Sequence, residues 1–226
     1  LFRQGNPVRT ATPLNRIRHD RGQFKLDGDD DRDSRFRHVI LATAPCQALE
    51  LLSEFDELTL LREQLQQVVY VSIATVHLGY EEEVRLPAPM VHLAGSPVSR
   101  LIDLGQTGNE AGTIAALFPA QARGTDLSHD ELVLLAHQAM EKFHPRLAPP
   151  HRSRVFVEER ATLAYTPGLM RPRTITPLRN LFLAGDYVET SSSNGLESAV
   201  RSGRMAARHV LRNLEKKSAS VMPGEF

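Results

Sequence analysis

A chain of 226 residues with 27 Lys+Arg against 27 Asp+Glu carries no formal net charge, which excludes nucleic-acid binding driven by bulk electrostatics. The length accommodates one large domain or two modest ones. A single cysteine, Cys46, rules out an intrachain disulfide framework and fits a reducing, cytoplasmic setting, and no apolar run approaches the length of a membrane span.

In chain order, Val8 to about Pro45 reads as strand-rich. Phe24 to Phe36 predicts a hairpin with DGDDDRD at its tip. The alternating Asp27, Asp29, Asp31 and Asp33 resemble a calcium loop at first sight. Arg32 stands where that loop needs glycine and His38 where it needs the closing glutamate, so the tip is read as a solvated turn. Gln47–Phe55 and Thr59–Gln67 predict helices, and Tyr70–Tyr80 alternates like a strand. Pro87–Leu93 and Gly112–Phe118 predict two further strands separated by glycine-rich turns. Asp126–His144 has helical periodicity, with Ser128 as N-cap and Glu131 as its capping-box partner. Arg154–Tyr165 predicts another strand, and Lys216–Phe226 a frayed tail. His129, His137 and His144 lack the cysteine or carboxylate companions of a metal site, so no metal is expected. HExxH, CxxC, GxSxG and P-loop motifs are all missing, which leaves metal and serine hydrolysis unsupported.

The most informative stretch is NLFLAGDYVETSSSNGLESAVRSGRMAARHVL, residues 180–211. Leu181–Ala184 is a short continuous apolar run, as in a strand buried on both faces. Gly185 lets a ligand approach the backbone, and Asp186 puts a carboxylate at the strand's carboxyl end, where ribose or ribityl hydroxyls can donate to it. A helix follows, with Asn194 as N-cap and Glu197 as capping-box partner. Leu196, Ala199, Val200, Gly203, Ala207, Val210, Leu211 and Leu214 recur at helical spacing and predict its buried face. The helix start near Gly195 and Leu196 offers N–H groups and partial positive charge to an electron-rich ligand. From spacing alone, an ordinary capped strand–loop–helix accounts for the stretch equally well.

LFLAGDY followed by GLESAVRSGRMAA resembles the carboxyl-terminal flavin-binding signature of the amine oxidase and carotenoid desaturase superfamily. TPLNRI (12–17) resembles that family's adenine-holding strand, which assigns Leu14 to the cofactor. HVILATAP (38–45) resembles its strand crossing back to the flavin, and RATLAYTPGLMRP (160–172) the segment passing the flavin. IATVHLGYEEEVRLPAPM (73–90) and the RAT-xx-YTPG pattern are most similar to the hydroxysqualene dehydroxylases. The family's amino-terminal G-x-G-x-x-G turn is not matched: Gly105, Gly108 and Gly112 are spaced wrongly for it.

The resemblance implies a mixed α/β (α+β) fold. Residues 1–46 and 166–226 form a partial FAD/NAD(P)-binding Rossmann-like domain without its G-x-G-x-x-G unit, and residues 47–165 form a mixed-sheet substrate domain. It implies an FAD-dependent oxidoreductase acting on an isoprenoid lipid such as hydroxysqualene. The missing amino-terminal half is expected on the same or another chain, peripheral membrane contact is expected, and the isolated chain is expected to be inactive. The cofactor residues are then Leu14, Gly185, Asp186, Gly195 and Leu196, with Tyr165 as a substrate-facing wall. Val157–Tyr165 contains no cysteine, so the FAD is expected to be non-covalent. Where the amine oxidases carry an aromatic cage residue this chain has Gly195, a departure that counts against amines. The alternatives are a carotenoid or phytoene desaturase, a flavin amine oxidase, and a non-catalytic fragment.

Overall fold

The computed structural model describes residues 8–28, 34–81, 83–108, 110–119, 127–164, 166–191 and 195–219. They fall into two compact units: residues up to Val69 together with those after Ala164, and Tyr70–Ala164. The composition of mixed sheets and helices matches the expected α/β class.

In the first unit, strands β1 (Leu14–Asp20), β2 (Gln23–Gly28) and β3 (Ser34–Phe36) form an antiparallel sheet. Phe24 pairs with Phe36, so the expected hairpin forms; its tip, residues 29–33, lies outside the described residues. Asp27 accepts from Arg18 Nε at 2.7 Å and Nη2 at 2.9 Å, and this hydrogen bonding holds its carboxyl below the usual range. Strand β4 (Val39–Leu41) lies parallel to β10 (Leu181–Leu183), with Leu41 opposite Leu183. Helix α1 (Pro45–Leu51) begins at its proline, whose fixed φ and missing N–H suit a first helical position. A 3₁₀ turn, Asp56–Leu58, leads into α2 (Thr59–Gln66).

These two helices bury Leu51, Leu61 and Leu65 in the cluster that also holds Ile17, Phe24, Leu181 and Leu183. Each such leucine contributes on the order of 2 kcal/mol. The boundary between units therefore falls at Tyr70, not at residue 47: the sequence marks where a crossover ends, but the leucines of α1 and α2 return to the first core.

In the second unit, β5 (Tyr70–Gly79), β6 (Met90–His92), β7 (Arg100–Asp103), β8 (Thr113–Pro119) and β9 (Arg152–Leu163) form an antiparallel sheet in the order β6-β7-β8-β5-β9. Helix α4 (His129–Glu141) starts at the expected capping box, where Ser128 and Glu131 each satisfy the other's backbone N–H. Its Leu132, Ala136, Ala139 and Met140 cluster with Val76, Leu78, Ile114 and Phe118. His137 Nδ1 lies 3.1 Å from the Tyr80 hydroxyl and His144 Nε2 lies 2.7 Å from the Arg85 carbonyl. Both histidines thus have structural partners, and no metal-binding group of His, Cys, Asp and Glu occurs among the described residues.

Strand β7 and the short helix α3 (Leu104–Thr107) are unforeseen in the sequence, because four residues show too little alternation. Asp103, 1% exposed, explains them. Its carboxylate accepts from the backbone N–H of Leu86, Gly105 and Gln106 at 3.0–3.1 Å and from Gln106 Nε2 at 2.6 Å. Burial pushes its pKa up, but these donors outweigh burial and hold it below the ordinary value. A lowered folded pKa contributes stability above the unfolded value near 4, lost as pH falls through the folded one. Asp103→Asn is expected to cost about 2 kcal/mol at neutral pH. The gap between variant and parent in chemical denaturation should shrink toward pH 3.

Candidate flavin site

Parallel strands β4 and β10 end side by side. The Ala184 N–H donates to the Leu41 carbonyl at 3.0 Å, so the Thr43–Ala44 segment and the Gly185–Asp186 turn leave from the same carboxyl end. In open α/β sheets that end is where ligands bind.

The Gly-Asp turn is fixed by buried polar groups of α5 (Leu196–Ala219) and by one arginine. Ser202, fully buried, accepts from the Gly185 N–H at 2.9 Å. Its single proton serves the Gly185 carbonyl at 2.9 Å or the Ala199 carbonyl at 2.8 Å. Ser198, also fully buried, bonds Thr190 Oγ1 at 2.9 Å and reaches the Asp186 carbonyl at 3.4 Å. Arg171 binds three successive carbonyls: Nη2 donates to Asp186 and Val188, and Nε to Tyr187 at 3.3 Å. Arg171 Nη2 also donates to Ser198 Oγ at 2.9 Å, which places the guanidinium at the first turn of α5. The positive end of the helix dipole and a fixed cation thus share one place, and an electron-rich or anionic ligand there relieves their mutual repulsion.

Helix α5 differs from its expected face. Ser198, Ser202 and Ala206 are the buried residues, at successive i, i+4 positions. Leu196 is 89% exposed, Val200 and Leu211 are 57% exposed, and Leu214 and Ala207 are also exposed. Of the expected face, Ala199, Gly203 and Val210 are half-buried, with Val210 packed against Phe182 and Ala206, whereas Leu196, Val200, Ala207, Leu211 and Leu214 are exposed; the two serines face in, where they satisfy the turn. The helix also continues through Ala219, so Lys216–Ala219 is helical and not a frayed tail.

The sequence-derived residues distribute as follows. Leu14, the first residue of β1, lines a cavity of about 560 Å³ with Asn15, Thr43, Ala44, Gln47 and Leu51. Thr43 Oγ1 is buried there with no hydrogen-bond partner among the described residues. That orphaned hydroxyl beside backbone groups fits a nucleotide's polar edge, since an unmet buried hydroxyl otherwise costs free energy. Gly185 and Asp186 form the turn itself. A Cβ at Gly185 would fall on the Tyr187 ring, so this glycine is required by the packing of a buried tyrosine. Gly195 has φ +88°, a left-handed backbone that favours glycine, and leads directly into exposed Leu196. Tyr165 and Asn194 lie outside the described residues. Arg171, Thr43, Ser198 and Ser202 are additions from the structure. The two serines leave a trace in ESAVRSG, polar residues four apart in a helix; nothing in the sequence singles out Arg171.

Beside the turn, a second cavity of about 650 Å³ has an apolar side of Leu60, Leu61, Leu169, Met170 and Ile175 and a polar side of Gln64, Arg171, Arg173, Glu189 and Thr190. Leu60, Met170 and Ile175 are each more than half exposed.

Comparison with known proteins agrees with this geometry. Residues 2–211 match the family described as flavin containing amine oxidoreductase. A hydroxysqualene dehydroxylase of Rhodopseudomonas palustris is 48% identical over 56 residues, 24% of this chain and 13% of that protein. A zeta-carotene desaturase of Synechocystis is 37% identical over 57 residues, 25% of this chain and 12% of that protein. The cyclohexylamine oxidase of Brevibacterium oxydans superposes with a TM-score of 0.69 at 18% identity, covering 90% of this chain and 48% of that one, a likeness of fold. The chain thus spans about half of that solved structure. With its matched residues running nearly end to end, the chain belongs to the flavin containing amine oxidoreductase family.

Proposed function

We propose that this chain is the carboxyl-terminal part of an FAD-dependent oxidoreductase that acts on an isoprenoid lipid, hydroxysqualene being the substrate to test first. One observation carries the cofactor half of this reading: the Gly-Asp turn is clamped to the first turn of α5 by Arg171 and two buried serines, beside the orphaned Thr43 hydroxyl. FAD is the cofactor, and it is held without a covalent bond. The adenosine end lies with Leu14, Thr43 and Ala44, and the flavin end with Gly185, Asp186, Gly195 and Leu196. The substrate half rests on the hydroxysqualene dehydroxylase relative, and one side of the second cavity, Leu60, Leu169, Met170 and Ile175, offers apolar surface to a hydrocarbon.

Bound and reduced, FAD would supply a hydride to the carbon of hydroxysqualene whose hydroxyl leaves, with a proton from solvent, as water. The chain's own contribution is orientation and electrostatics. Arg171 and the α5 dipole favour negative charge near the turn, and Ser202 and Ser198 keep that turn from moving. The first unit acts as the partial FAD-binding domain and Tyr70–Ala164 as the substrate domain, with Tyr165 as a substrate-facing wall. The exposed stripe of Leu196, Val200, Leu211 and Leu214 takes the remaining amino-terminal half, on the same or another polypeptide. Among the described residues no helix is long and apolar enough to cross a membrane. A cytoplasmic protein that touches a membrane only peripherally agrees with that finding and with a lipid substrate. A second reading, desaturation of a carotenoid precursor, is favoured by the zeta-carotene desaturase relative.

The complete polypeptide, expressed with its upstream reading frame, is expected to purify yellow. With a reductant present it should convert hydroxysqualene to squalene; oxidation of phytoene or zeta-carotene instead would select the second reading. Reduction of the flavin by amines alone would overturn both. Arg171→Met is expected to weaken FAD binding about tenfold, or about 1.4 kcal/mol, and to lower the flavin midpoint potential. Arg171→Lys should recover part of the potential but not the affinity, because an ammonium cannot fork across three carbonyls. Fluorescence titration and spectroelectrochemistry read the two effects separately. Ser202→Ala, which strips the partner from the Gly185 N–H, is expected to cost about 1–3 kcal/mol in denaturant unfolding.

A further inference from the structure

The five-stranded sheet of the second unit has two unlike faces. One carries Ala74, Val76 and Leu78 and is buried in the cluster with α4. Side chains alternate across a strand, so the other face presents Thr75, His77 and Gly79 from β5 and, opposite them, Phe156, Arg154 and Arg152 from β9. Thr113 of β8 pairs with Gly79 on this same face. A cavity of about 400 Å³ opens there, lined by His77, Thr113, Arg152, Arg154, Phe156 and one carboxylate, Glu110.

The two arginines are held in position by their surroundings. Arg152 lies across Gly79, where a Cβ would overlap its Nε and Cγ, and its Nη2 donates to the buried Thr113 hydroxyl at 3.1 Å. Arg154 stacks on the Phe156 ring, 4.8 Å from its centroid, and that ring meets His77 edge-on at 5.0 Å. Neither arginine forms an ion pair among the described residues, although Glu110 lines the same cavity. Two residues apart on a strand, their backbones are about 7 Å from each other. Fixing a guanidinium through one N–H, or through its flat face, leaves the remaining donors in a planar fork that matches phosphate oxygens. A zero net charge means that this cationic concentration is local, not a reflection of a basic protein.

We propose that this face binds a phosphate or diphosphate group, with Arg152 and Arg154 as two guanidinium forks and Thr113 and His77 beside them. The group belongs to a free prenyl diphosphate or to a phospholipid headgroup; the chemistry recognised is the same. The proposal needs no flavin, so it stands or falls apart from the function proposed above.

The test uses the complete, FAD-saturated polypeptide, in which the cofactor already occupies its own phosphate site. Inorganic pyrophosphate is titrated by calorimetry. Saturable binding that weakens with added salt is expected, with Arg154→Gln weakening it about tenfold or more and Arg154→Lys weakening it less. Glu110→Gln, which removes a repelling charge, should tighten binding severalfold, a gain that a merely unfolded variant cannot mimic. Unchanged flavin content and unfolding midpoint in each variant keep the readout specific. Geranyl diphosphate competing with pyrophosphate would assign a soluble ligand. Binding to phosphatidylglycerol vesicles, lost in Arg154→Gln, would assign a headgroup. No pyrophosphate binding, or an affinity within twofold of the parent in all three variants, overturns the proposal.

Discussion

The contact on which the rest of the flavin site depends is the one between Ser202 and Gly185. A hydroxyl on a helix accepts the N–H of the turn residue and shares its proton between that residue's carbonyl and its own helix. Backbone groups that leave a strand end have lost their ladder partners and cannot stay buried unpaired. Ser202 supplies both missing partners at once, and Arg171 does the same for the next three carbonyls, Asp186 to Val188. The turn is held because the Gly185 N–H and the carbonyls of Gly185, Asp186, Tyr187 and Val188 are all bonded to α5 or to Arg171. A rigid turn at the start of a helix fixes where the helix dipole points, and that is the electrostatic property a flavin uses.

This clamp explains why Ser198 and Ser202 take buried positions of α5 while Leu196, Val200 and Leu211 stay exposed. A sequence reading that assigns burial by hydrophobicity alone turns the helix the wrong way. Leu196, Val200, Ala207, Leu211 and Leu214 have the right spacing for a packed face, and the spacing is real; what covers that face is not among the described residues. The signals that did carry through were those enforced locally. The Ser128–Glu131 capping box predicts the start of α4 to the residue, since both partners lie within one turn. The apolar run at Leu181 predicts β10, and the alternation from Tyr70 predicts β5. The signals that failed depend on distant partners. Strand β7 exists because Asp103 collects donors from Leu86 on one side and Gln106 on the other, and the unit boundary moves to Tyr70 because the leucines of α1 and α2 meet Leu181. Arg171 is the extreme case: a cation amid prolines, with no local pattern, whose partners are fifteen to seventeen residues later.

Gly185, read as an opening for ligand, has a different reason, and Gly79 shares it. At Gly185 the space a side chain would take is filled by the Tyr187 ring, so the ring, itself buried, decides the residue. At Gly79 the space is filled by Arg152. In both places glycine lets a large neighbouring side chain lie flat against the backbone. The consequences differ because the neighbours differ. A buried phenol stiffens the turn, and burial raises its pKa and keeps it neutral. A guanidinium laid over a strand keeps its unused donors facing a cavity.

The pair β4–β10 supplies the last step. Parallel strands occur almost only in sheets covered on both faces, because their connections carry helices to those faces. Two such strands, three residues each, are too short to be a stable sheet by themselves. One face is already buried, with Val39, Leu41, Leu181 and Leu183 in the cluster of Ile17 and Phe24; on the other, Phe182 and Ala184 meet Ala206 of α5. Ile40 of β4 remains 39% exposed. Under the function proposed above, exposed Ile40 and the exposed apolar positions of α5 are where further sheet and helix of a nucleotide-binding architecture would pack. The same addition would supply the G-x-G-x-x-G cradle that is not matched here, so completion of the core and completion of the cofactor site would be one event.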